Sequence, residues 1–106
     1  MEAKVETVLA ELRQSLERLY GDRLVHLILY GSRAREDAEP DSDIDVMVVL
    51  KGPVIPGREI DRTSEIRSSL SLKYEVLVSC VYMPEERYRA EQSSLLINVR
   101  REGIRI

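Results

Sequence analysis

Seven consecutive residues, Leu24 to Tyr30, read Leu-Val-His-Leu-Ile-Leu-Tyr and stop at Gly31. The run is too short for a helix, and its density of apolar side chains fits a strand covered on both faces. Such a strand needs helices on either side of its sheet, which points to an α/β (α+β) fold with helices packed on a small mixed sheet. Two further runs supply neighbouring strands. Residues 43–50 alternate Ile44, Val46, Val48 and Leu50 with Asp43, Asp45, Met47 and Val49. Residues 74–83 set Val76, Val78, Cys80 and Tyr82 on one face against Glu75, Leu77, Ser79, Val81 and Met83 on the other.

The covering helices are legible by period. Val5, Val8, Leu9, Leu12, Leu16, Leu19 and Tyr20 share one face of a helix over residues 2–20, with Gly21 as its stop. Ile60, Thr63, Ile66 and Leu70 give a second helix over 58–72, after a loop containing Gly52, Pro53, Pro56 and Gly57. Ser32 suits the cap of a short helix of one or two turns, which ends in a loop at Pro40. Pro84, Glu85 and Glu86 open another helix, and a last one covers 94–102. The 106 residues leave space for one domain, 1–106, and no separate substrate domain.

Composition removes several function classes. Sixteen basic against nineteen acidic residues give a net charge of −3, opposite in sign to a general nucleic-acid binder. Phe and Trp are absent, so stacking platforms for single strands are not expected. One Cys and one His exclude an internal disulfide and a Cys/His zinc cluster. His26, alone in an apolar strand, reads as a structural residue. No apolar run spans a membrane and the first residues do not resemble a signal peptide, so a soluble, cytoplasmic protein is expected.

Charge is uneven along the chain. Residues 33–45 hold six acidic and two basic side chains, a local charge of −4 where a hard divalent cation would settle. Asp43 and Asp45 lie two apart on a strand, so their carboxylates share a face with Cα atoms about 6.6 Å apart, close enough to share Mg²⁺. Upstream, Tyr30-Gly31-Ser32-Arg33 is a strand-to-helix turn whose Gly permits close backbone approach and whose helix start favours a phosphate. Together these are the two halves of a holder for a Mg²⁺–triphosphate.

Gly31-Ser32, ten intervening residues and Asp43-Ile44-Asp45 resemble the signature of the nucleotidyltransferase superfamily that includes DNA polymerase beta and kanamycin nucleotidyltransferase. Residues 31–50, GSRAREDAEPDSDIDVMVVL, are similar to the minimal nucleotidyltransferases, the antitoxin halves of pairs with helical HEPN toxins. The resemblance implies Mg²⁺ on Asp43 and Asp45, ATP phosphates on Gly31 and Ser32 with charge added by Arg33 and Arg35, and AMP transfer to a hydroxyl of a HEPN partner. Active members carry a third carboxylate on the next strand, for which Glu75 has the correct face parity. Without it, a weakly active or inactive nucleotide-binding antitoxin that works by covering its partner is the alternative.

The C-terminal segment is the expected interface. Leu95, Leu96, Ile97, Val99, Ile104 and Ile106 exceed what one helix face buries, and five Arg lie among residues 87–106. An apolar patch rimmed by Arg suits a homodimer or hetero-oligomer contact.

Overall fold

The computed structural model describes residues 1–39 and 42–106. The expected loop at Pro40 lies outside the described residues. The elements are α1 (Ala3–Tyr20), a single 3-10 turn (Gly21–Arg23), β1 (Leu24–Tyr30), α2 (Ser32–Arg35), β2 (Ile44–Leu50), α3 (Pro56–Arg62), α4 (Ser64–Tyr74), β3 (Val78–Pro84), α5 (Glu85–Ala90), α6 (Ser94–Glu102) and β4 (Ile104–Arg105). The sheet order is β3-β2-β1-β4, with β1 antiparallel to β2 and β4 and β2 parallel to β3. The sheet is mixed and helices pack on it, as expected, with three of its four strands coming from the apolar runs.

Strand alternation sorts the core into two layers. Leu27, Leu29, Ile44, Val46, Val48, Leu50, Val78 and Tyr82 face α1 and α4, which bring Val5, Val8, Leu9, Leu12, Leu16, Tyr20 and Leu70. Ile28, Met47, Val49 and Met83 face the other way, against Tyr88 of α5 and Leu96 and Val99 of α6. Truncating a fully buried residue such as Leu12 to Ala would cost about 2–5 kcal/mol.

Three elements depart from expectation. The helix expected over 58–72 is two helices that break at Thr63, whose hydroxyl donates to the Glu59 carbonyl (2.9 Å) and accepts from Arg67 Nε (3.2 Å). A side chain bonded to the helix backbone in this way competes with the regular ladder. The inward residue of α3 is Glu59, 3% exposed, rather than Ile60, because its carboxylate accepts from the Tyr20 hydroxyl (2.9 Å) and pairs with Arg62 (3.5 Å). The third strand begins at Val78 instead of residue 74, since α4 continues through Tyr74. There the Lys73 ammonium reaches Glu11 on α1 at 2.8 Å.

The chain end also has a use that periodicity does not show. Ile104 and Arg105 add β4 to the edge of β1, and the Ile106 amide donates to the Leu27 carbonyl (3.0 Å). Gly103 makes this return possible, because a Cβ there would lie 2.5 Å from Ile28 Cγ2 and 2.4 Å from the Val99 carbonyl oxygen. Part of the expected interface is therefore internal. Leu96 and Val99 are core, Ile106 packs on it, and Arg100 is spent on the Tyr88 and Glu91 carbonyls, leaving Leu95, Ile97 and Ile104 exposed. Among the described residues no helix is long and apolar enough to cross a membrane.

Candidate active site

The end of β1 and the start of β2 lie side by side because the two strands are antiparallel, with Tyr30 opposite Asp45. At Gly31 the backbone takes φ 75° and ψ −157°, a region open in practice only to glycine. The chain then turns into α2, where the Gly31 carbonyl accepts from the amides of Ala34 (3.1 Å) and Arg35 (3.2 Å). Gly31 itself, not Ser32, holds the cap position, so Ser32 is the first helical residue. A Cβ at Gly31 would stand 2.6 Å from Asp45 Oδ2. The carboxylate therefore rests directly over the bare turn.

Asp45 alternates with Met47 and Val49 on the sheet face that α5 and α6 cover, and Asp43 precedes the strand with the same parity. Asp45 is half-buried and Asp43 exposed. Burial first, and the neighbouring Asp43 charge second, push the Asp45 carboxyl above the ordinary carboxylate range. A half-buried carboxylate held against a like charge is an arrangement that a bound cation would relieve. The same crowding reaches the cross-strand neighbour, since burial and the Asp45 charge raise the Tyr30 phenol.

The parallel strand β3 contributes Ser79 level with Asp45. On this strand it is a hydroxyl, not a carboxylate, that the register brings alongside Asp45. Glu75 requires correction. It lies outside the strand as the exposed C-cap of α4 in a left-handed conformation (φ 53°, ψ 49°), so strand parity does not place it beside the aspartates. Among the described residues no group of three His, Cys, Asp or Glu side chains could hold a metal ion.

The two arginines also differ from their expected roles. Arg33, with a side chain only 8% exposed, donates to the Ser42 carbonyl (2.7 Å) and pairs with Glu2 (3.3 Å), bracing the approach to β2 against the start of α1. Arg35 pairs with Asp37 (3.2 Å) and reaches Glu102 on α6 (3.5 Å). In this structure both guanidiniums meet protein carboxylates or carbonyls, Arg33 in a buried setting and Arg35 in exposed surface pairs. Helical spacing does not reveal the Glu2 and Glu102 contacts, because those partners lie 31 and 67 residues away along the chain. His26 lies towards the other end of β1 from Gly31, its ring 5.6 Å from that of Tyr88.

A glycine turn capped by a strand carboxylate is a small feature on which to place a whole chain, but it is not isolated: the family model described as the nucleotidyltransferase domain matches residues 9–106. The chain belongs to the nucleotidyltransferase family. This nucleotidyltransferase is 34% identical over 73 residues to a Methanocaldococcus jannaschii protein named a putative protein adenylyltransferase, an overlap of 68% of this chain and 72% of the relative. A solved structure described as a putative minimal nucleotidyltransferase superposes with a TM-score of 0.61 and 26% identity, covering 96% of this chain and 95% of that one. The fold is also that of a solved complex of a tri-AMPylated Shewanella oneidensis HEPN toxin with its MNT antitoxin, at a TM-score of 0.54, 17% identity, and coverage of 92% and 70%. The family gives the turn and the aspartates their chemical context. Nucleotidyl transfer makes no covalent enzyme intermediate, so the chemistry calls for no paired nucleophile and base.

Proposed function

We propose that this nucleotidyltransferase transfers AMP from ATP to a hydroxyl group of a partner protein, a HEPN-type toxin, using Mg²⁺ held by Asp43 and Asp45. The observation that carries the reading is the Asp45 carboxylate seated over the Gly31 backbone, with Asp43 raising its proton affinity. Two carboxylates suit Mg²⁺, which keeps waters and takes phosphate oxygens for its remaining positions. When bound, the ion neutralises phosphate charge and activates the acceptor hydroxyl. Gly31 would let the triphosphate approach the backbone, and Ser32, whose hydroxyl has no partner among the described residues, would bind the terminal phosphates. Asp43 and Asp45 would act on the α-phosphate through the ion they hold, in line with the acceptor: the acceptor oxygen bonds to phosphorus and gives up its proton to a site carboxylate, the α–β anhydride bond breaks, and pyrophosphate leaves. The relative named as a protein adenylyltransferase and the AMPylated toxin complex support the choice of acceptor.

Among the described residues no third carboxylate joins Asp43 and Asp45 in a metal-holding group, which favours one other reading, a subunit that binds nucleotide and its partner with little transfer. Incubation with α-labelled ATP, Mg²⁺ and a HEPN-type toxin separates the two. Label should appear on the toxin and vanish with Asp43→Asn/Asp45→Asn or with EDTA. Equal labelling by that double variant would overturn the site, and a stable unlabelled complex would establish the binding subunit.

A further inference from the structure

At the opposite end of β2 from the aspartates, about 20 Å away at ~3.3 Å per residue, a cavity of about 450 Å³ opens beside α3. Arg23, Lys51, Arg58 and Arg62 line it together with Gly52, Pro53, Ile55 and Glu59. Four cations surround one carboxylate, so the cavity carries a charge of +3 in a chain whose net charge is −3. Beyond Gly52 and Pro53 the adjoining cleft turns acidic with Glu85 and Glu86, which confines the positive field to the α3 side.

The cations fall into two kinds. Arg23 and Arg62 are fixed by the wall: Arg23 donates to the carbonyls of Lys51 (3.2 Å) and Pro53 (3.1 Å), and both lie against the buried Glu59 carboxylate at 4.0 and 3.5 Å. Glu59 is held in turn by the Tyr20 hydroxyl. Lys51 and Arg58 are exposed, and their side chains have no hydrogen bond or ion pair among the described residues. Crowding four cations around one cavity is unfavourable unless an anion enters it.

We infer that this cavity is a binding site for an anion bearing two or more linked phosphoryl groups, with Lys51 and Arg58 as its primary contacts and Arg23 and Arg62 as a preset rim. A charge of +3 spread over four side chains exceeds what a single phosphate needs and suits a diphosphate. Arg forks bind such oxygens two at a time, and Lys adds a movable point charge. The same phosphoryl chemistry has two sources, a free oligophosphate such as a nucleotide tail and the sugar–phosphate backbone of a nucleic acid. The site is independent of the proposed transfer reaction, because it shares no residue with the Gly31 turn or the aspartates.

Calorimetric titration in low salt with EDTA tests this, using pyrophosphate, ADP and a short oligouridylate as probes. Pyrophosphate should bind, and Lys51→Ala/Arg58→Ala should weaken it by about tenfold or more, the scale for losing charge-assisted contacts. Both residues are exposed and unpaired, so circular dichroism should show an unchanged fold. Asp43→Asn/Asp45→Asn should bind pyrophosphate as the parent does. Weakening confined to pyrophosphate and ADP supports the site with a free oligophosphate as ligand, and weakening of oligouridylate as well supports it with a nucleic-acid backbone. No pyrophosphate binding, or equal affinity in Lys51→Ala/Arg58→Ala, would overturn the inference.

Discussion

Replacing Gly31 with alanine should damage stability and activity together, by separable amounts. The backbone at φ 75° and ψ −157° is in a region that costs a residue with a Cβ about 1–3 kcal/mol. The added Cβ would also meet Asp45 Oδ2 at 2.6 Å, with Asp45 Cγ at 3.5 Å and Cβ at 3.6 Å, so the carboxylate must swing off the turn. With the cost of that displacement the total is about 2–4 kcal/mol, in the usual range for a strained-backbone substitution. For a domain of this size it corresponds to a fall in Tm of roughly 10–20 °C, and a typical reserve of 5–15 kcal/mol leaves the variant folded at room temperature. Thermal unfolding followed by circular dichroism measures the first effect, and Mg²⁺-dependent ATP binding by the folded variant measures the second, which should be lost. Adding Asp45→Ala to Gly31→Ala removes the clash and should restore only that part of the stability, leaving the backbone strain. Gly57→Ala is the control: a Cβ there meets nothing within 4 Å inside α3, so it should be neutral or stabilising by about 0.4–1 kcal/mol. A Gly31→Ala protein with parental Tm and parental ATP binding would refute the reasoning.

Asp45→Asn should stabilise the metal-free protein at pH 7 while abolishing transfer. The Asp45 carboxyl binds its proton more tightly folded than unfolded, so its contribution is most favourable below the ordinary value of 3.8 and is lost as pH rises through the raised folded value. The advantage of Asn, read from denaturant midpoints in EDTA, should grow from pH 3 to 7, and a constant difference would count against the burial and charge crowding assigned to Asp45. Glu75→Gln should leave transfer unaltered, and Glu75→Gly should raise stability by about 1 kcal/mol, because the left-handed cap that Glu75 occupies suits glycine. A transfer rate that collapses in Glu75→Gln would restore it as a ligand.

Residues 1–30 were almost fully legible in the sequence because their packing is periodic. The α1 face from Val5 to Tyr20, apart from Leu19, which is exposed, and the doubly apolar β1 need only a helix period and a buried strand, and both depend on neighbours close in the chain. The pair Gly31 and Asp45 was legible as two local signals, a strand-ending glycine and an aspartate on a strand. That the carboxylate rests on the glycine depends on the antiparallel register, which no local pattern encodes. The misread residues share one cause. Arg33 looked available for phosphate until Glu2 and Ser42 came to meet it, and Ile60 looked like core until Tyr20 and Arg62 drew Glu59 inward. Glu75 has strand parity only if the strand begins early, and α4, tied to α1 through Lys73 and Glu11, ran on instead. Ile104 and Ile106 looked surplus to a helix, and the free edge of β1 took them. Hydrophobic period alone places three of the four strands, most of the helical segments that cover them and the identity of the chemical groups, because burial follows local period. Which charged side chains are spent on one another and which stay open to a ligand depends on the assembled fold, because an ion pair forms between whichever charges it brings within a few ångströms.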